Sequence, residues 1–78
     1  SKAGAKNLAS EIVQEYNDLH DSVENFSPVR KNLESHIKNM RSGQPLDINY
    51  FTNLGNLIDE VDSNIKQLVK SLLKVHSL

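Results

Sequence analysis

The chain of 78 residues contains no cysteine and no tryptophan, and only two prolines, three glycines and 5% aromatic residues. Without cysteine there is neither a disulfide nor a thiolate metal site, so stability has to come from helix packing or from association. Missing disulfides suit a reducing compartment, and we expect a cytoplasmic protein. No apolar run approaches the ~20 residues needed to span a bilayer. Nor is there a charged n-region followed by an apolar h-region, so the sequence shows no signal peptide. The net charge is only −1, and Lys and Arg are not massed on one stretch. That argues against nucleic acid as a partner, because phosphate binding relies on a concentrated basic surface.

Catalytic signatures are equally scarce. His20, His36 and His76 have no companion at a metal-ligand spacing such as i, i+4 on one helix face. The acidic residues fall on polar helix faces, where nothing would drive two carboxyl pKa values apart. Gly4, Gly43 and Gly55 are isolated, which excludes a glycine-rich phosphate loop, and no serine sits in a nucleophile elbow. We therefore expect no catalytic residues, no cofactor, no metal and no small-molecule substrate.

What the sequence does contain is heptad periodicity. From Phe51 to Val75 the residues Phe51, Leu54, Ile58, Val61, Ile65, Leu68, Leu72 and Val75 recur three and four apart, the pattern of a helix that buries one stripe. The first part of the chain shows the same spacing in Ala5, Ala9, Ile12, Tyr16, Leu19, Val23 and Phe26, and keeps phase through Arg30, Leu33, Ile37 and Met40. Pro28 lies between these halves and predicts a kink or a break, since it lacks an N–H and crowds the preceding turn. Gly43 and Pro45 mark a reversal, with Gly43 suited to the left-handed position after a helix. Asp47 is a good N-cap for the last helix, and Leu46 is placed as a hydrophobic staple for Phe51. Gly55 and the cluster Asp62-Ser63-Asn64 are soft points in it, but the unbroken phase predicts one helix.

The expectation is an all-α, single-domain chain (residues 1–78): an antiparallel helical hairpin or small bundle with segments at about 5–26, 28–41 and 47–77, following a frayed start. Charge supports the antiparallel arrangement. Residues 1–26 carry −3, 28–41 carry +3, 47–62 carry −4 and 63–78 carry +3, so folding at Gly43 sets opposite signs side by side. This register pairs Asp18 with Lys70, Asp21 with Lys66, and Glu11 or Glu15 with Lys74; Arg30 comes near Asp59 or Asp62, and Gly55 faces Leu33. Tyr16, Phe26 and Phe51 read as core, and Tyr50 as a surface anchor.

The apolar surface is wider than one stripe. Leu8 and Val13 on the first arm, with Leu57, Val69 and Leu73 on the last helix, lie beside the seam and need cover. These five residues are the expected binding surface, either for a second copy, giving a homodimer, or for a helix of another protein. The function this implies is a non-enzymatic interaction module serving as an assembly, adaptor or regulatory subunit. A histidine-based phosphotransfer role would rest on His36. A membrane-surface role would rest on Lys66, Lys70 and Lys74, an i, i+4 stripe beside apolar residues. The stretch Gly4-Ala5-Lys6-Asn7-Leu8 resembles the Gly-Ala-Glu-Asn-Leu piece of the Rho-binding helical hairpins of protein kinase N. That resemblance covers five residues, and it implies an antiparallel hairpin with a small-GTPase partner.

Overall fold

The structure, a computed structural model, describes residues 2–78. It is all-α, with helices α1 (Lys2–Lys31), α2 (Leu33–Arg41) and α3 (Ile48–His76), and no strand among the described residues. The helix begins at Lys2, so the stretch expected to fray is helical; Ser1 lies outside the described residues.

Pro28 neither ends nor divides the first arm: α1 runs through it. Both Pro28 and Glu24 are exposed, so the carbonyl that loses its donor lies on the water side of the arm, where solvent can satisfy it. The interruption comes one turn later, at Asn32. There the backbone N–H donates to the Val29 carbonyl at 3.2 Å, a tighter i to i−3 bond, before the His36 N–H resumes the α pattern onto the Asn32 carbonyl. At ~1.5 Å per residue, α1 and α2 end to end measure about 60 Å. The molecule is 61 Å long and 17 by 15 Å across, so the first arm, bent as it is, still runs its full length.

The turn after α2 forms as its residues dictate. Gly43 takes φ +91°; its N–H donates to the Met40 carbonyl, and the Gln44 N–H reaches back to the Asn39 carbonyl, both at 3.0 Å. These two bonds make a Schellman cap. Asp47 caps α3 by accepting the Tyr50 N–H at 3.1 Å. Leu46 remains exposed beside it. The last helix continues unbroken through Gly55 and Asp62-Ser63-Asn64.

α3 returns antiparallel along α1. Ser71 meets Glu15, Asn64 meets Asp18 and Tyr50 meets Val29. With Ser71 opposite Glu15 and Tyr50 opposite His36 the register lies about two residues from the expected one, yet the expected ion pairs between arms do not form. Among the described residues every ion pair stays within its own arm, Lys38 with Glu34 and Lys66 with Asp62, and the His20 ring lies beside Asp21 and Glu24 of its own helix. Neighbours one turn apart on one helix need no rigid placement of the other arm, so they win over partners across the seam. Gly55 does not make room for Leu33: a Cβ built there meets nothing within 4 Å.

The larger correction concerns which residues face inward. About half of each expected stripe is internal: Ala5, Ile12, Leu19, Phe26 and Leu33 on the first arm, with Phe51, Leu54, Val61, Leu68 and Val75 on α3, are half-buried or buried. The other half is not. Tyr16, Val23, Ile37 and Met40, together with Ile58, Ile65 and Leu72, remain exposed, and so does Arg30. Their places between the arms are taken by Glu15, Ser22, Val29 and His36 opposite Tyr50, Leu57, Asn64 and Ser71. The physical reason is size. Ser22 and Ser71 are each only 2% exposed, and side chains this small let two helix backbones approach where a column of Ile and Leu would hold them apart. Leu54, 8% exposed, is the only buried large apolar residue among those described.

Candidate interaction surface

In a right-handed helix, the residue four ahead of an inward-facing position lies to one side of it, and the residue three ahead lies to the other. When two helices run antiparallel, the four-ahead columns of both fall on the same side of the pair. Here that rule sorts the side chains of the two arms into two unlike flanks.

One flank carries the polar contacts between arms. Ser71 Oγ donates to Glu15 Oε1 at 2.8 Å, and Gln67 Nε2 donates to the same oxygen at 3.4 Å. Asn64 Nδ2 donates to the Asp18 carbonyl at 3.3 Å. Toward the turn, the Tyr50 hydroxyl donates to the Val29 carbonyl. The Tyr50 ring also stacks on His36, with centroids 3.6 Å apart and 8° between planes, while Phe51 meets both rings edge-on. Tyr50 is thus a half-buried clasp between the arms and not a surface anchor, and His36 is engaged in the same cluster. Glu15 Oε2 is buried on this flank without a hydrogen-bond partner.

The opposite flank has no hydrogen bond between the arms among the described residues, and it is where apolar surface collects. Tyr16, Val23 and Ile37 on the first arm run parallel to Ile58, Ile65 and Leu72 on the second, each between 43% and 58% exposed. Further round on the same side stand Val13, Ile48, Val69 and Leu73. Two shallow grooves of this face involve α3, and a third, on the first arm, is lined by Arg30, Lys31, Leu33, Glu34 and Ile37. The first is lined by Phe26 of α1 with Ile58, Val61, Asp62 and Ile65 of α3. The second follows α3 alone, along Ile65, Val69 and Leu73, with Lys66 and Lys70 at its edge. Asp62, 2.9 Å from Lys66, holds that ammonium pKa above its ordinary value through a hydrogen bond and through its charge. Arg30 is the one cation within the apolar columns, and among the described residues it has no ion pair.

The structure separates the five residues expected to bind a partner. Val13, Val69 and Leu73 lie exposed on the apolar flank. Leu8 and Leu57 are half-buried in the heptad columns of Glu15 and Ser71, on the other side. Sequence reasoning missed Tyr16, Val23, Ile58, Ile65 and Leu72 as surface, having spent them on the seam. The signal that could have found them was the pair of serines: Ser22 and Ser71 repeat in the competing columns, where their small size permits close approach.

Among the described residues no group of three or more His, Cys, Asp or Glu is placed to hold a metal ion. No helix is long and apolar enough to cross a membrane. No family model matches this chain, and no curated protein or solved structure matches it.

Proposed function

We propose that this chain is a non-enzymatic interaction module: an antiparallel helical hairpin that forms half of a bundle and works by covering its apolar flank with other helices. The observation that carries this reading is the one-sided exposure of Tyr16, Val23, Ile37, Ile58, Ile65 and Leu72. Scattered exposed apolar residues are ordinary, but a continuous apolar face marks an interaction surface. The molecule as a whole is 61 by 17 Å along this side, so an interface of about 800 Å² per partner would have to cover most of it. An assembly, adaptor or regulatory role follows from such a surface. The grooves are open and shallow, which suits helix docking better than enclosure of a small substrate.

A photoreactive residue tests this. Placed at Ile65 or Leu72 in the cells that make the protein, it should give protein adducts, whereas the same residue at Asn64 or Gln67 should give few. Equal or absent labelling from the two flanks would remove the basis of the proposal.

A membrane-surface role draws on one observation, the cations Lys66 and Lys70 at the edge of the apolar groove along Ile65, Val69 and Leu73. Failure of the purified chain to bind vesicles rich in anionic lipid would end that reading.

A further inference from the structure

We infer that the occupant of the apolar flank is an acidic amphipathic helix of another protein, lying lengthwise in the groove between α1 and α3 with its carboxylates against Arg30 and the other unpaired cations of that face. This rests on the interaction-module reading and adds the chemistry of the partner to it.

The groove follows from the unequal sizes of the inward-facing columns. Toward the polar flank, Ser22 and Ser71 are each 2% exposed and let the helices close up. Toward the apolar flank the inward residues are larger, among them Leu19, Phe26, Val61 and Leu68. Side chains of that size hold the helices apart and leave a channel above themselves. Phe26 and Val61 line its floor, with Ile58 and Ile65 as one wall. Tyr16, Val23 and Ile37 stand along the other. From Tyr16 to Ile37 that wall runs for ~30 Å at 1.5 Å per residue, a length that about six turns of helix would fill. A flat lipid surface would rest on the walls without reaching Phe26 and Val61, whereas the apolar stripe of a helix reaches both.

Charge then specifies the kind of helix. At seven-residue steps, the columns that border the groove are those of Val13 and Tyr16 on α1 and of Ile65 and Val69 on α3. Their carboxylates, Glu34 and Asp62, are already held by lysines of their own helices, Lys38 at 3.3 Å and Lys66 at 2.9 Å. The same columns carry Lys6, Arg30 and Arg41, and among the described residues none of these three has an ion pair. Arg30 also shares a groove with Leu33 and Ile37, so a partner that covers those two covers the guanidinium as well. Burying that charge without a counter-ion is strongly unfavourable. With Glu34 and Asp62 engaged, the counter-charge has to come from the partner. The chain as a whole carries a net charge of −1, so a preference for an acidic helix would belong to this face and not to the molecule at large.

Two synthetic helical peptides with the same heptad stripe of leucine, one flanked by glutamate and the other by lysine, serve as probes. Fluorescence anisotropy should show the glutamate peptide binding the purified chain about tenfold more tightly, with an advantage that shrinks as salt is added. Arg30→Glu, at an exposed position, should remove most of that preference without changing the circular dichroism, and Arg30→Lys should retain it. A photoreactive residue at Val23 or at Ile65 should mark the bound glutamate peptide, and one at Gln67 should not. Equal affinity for the two peptides, no binding up to about 1 mM, or a preference indifferent to Arg30→Glu would overturn the inference. So would capture of the chain by vesicles rich in anionic lipid with the glutamate peptide left unbound, or self-association that a saturating amount of that peptide fails to disperse. One-sided adducts in cells beside any of these results would leave the module reading standing with a different occupant.

Discussion

Ser71 donates to a carboxylate whose second oxygen is buried without a partner, which makes this small side chain a sensitive point. Ser71→Ala should lower stability by about 1.5–3 kcal/mol, the range for a hydrogen bond to a charged group, read as a drop in the urea midpoint with an unchanged slope. The two interior glycines should respond with opposite signs. Gly43 sits at φ +91° in the cap, so Gly43→Ala should destabilise by about 1 kcal/mol or more. Gly55 is helical and a Cβ there meets nothing within 4 Å, so Gly55→Ala should stabilise by about 0.5–1 kcal/mol. If both shift the same way in chemical denaturation, the assignment of roles is wrong.

At the level of helices, Pro28 is the residue whose replacement informs most. It lies inside α1 on the exposed side, and Pro28→Ala returns an N–H to the Glu24 carbonyl. The expected outcome is a gain of about 1 kcal/mol or more and slower amide exchange over residues 24 to 32. The elements themselves were legible in the sequence. Gly43 and Asp47 carry local chemistry that acts within a turn, and Ile12, Leu19, Leu54 and Val61 repeat at a spacing that leaves no doubt about helix. What periodicity could not decide was which neighbouring column joins them inside. The columns of Ile58, Ile65 and Leu72 and of Leu57, Asn64 and Ser71 share the same seven-residue repeat, so choosing the more apolar one put Tyr16, Val23 and Ile65 in the wrong place. The choice depends on how closely two backbones approach and on bonds such as Asn64 to Asp18, which are properties of the pair. The expected ion pairs between the arms are missing for a related reason: exposed charges such as Lys66 and Asp62 satisfy each other locally.

For the whole molecule, stability should depend on concentration. A rod with one buried large apolar side chain among its described residues and a long uncovered flank gains from any association that buries it, and binding to the folded form raises its melting temperature by mass action. We expect the midpoint of thermal unfolding to climb with protein concentration, and Val69→Asp with Leu73→Asp to flatten that dependence while most helix content remains. The flank owes its one-sidedness to the direction of the chain. Were α3 to run the same way as α1, the handedness of the helix would send the Val23 and Ile65 columns to opposite sides, giving two narrow sticky edges capable of endless lateral growth. The tight reversal at Gly43 gathers them on a single side, an arrangement in which association would close on a finite bundle instead of growing without end.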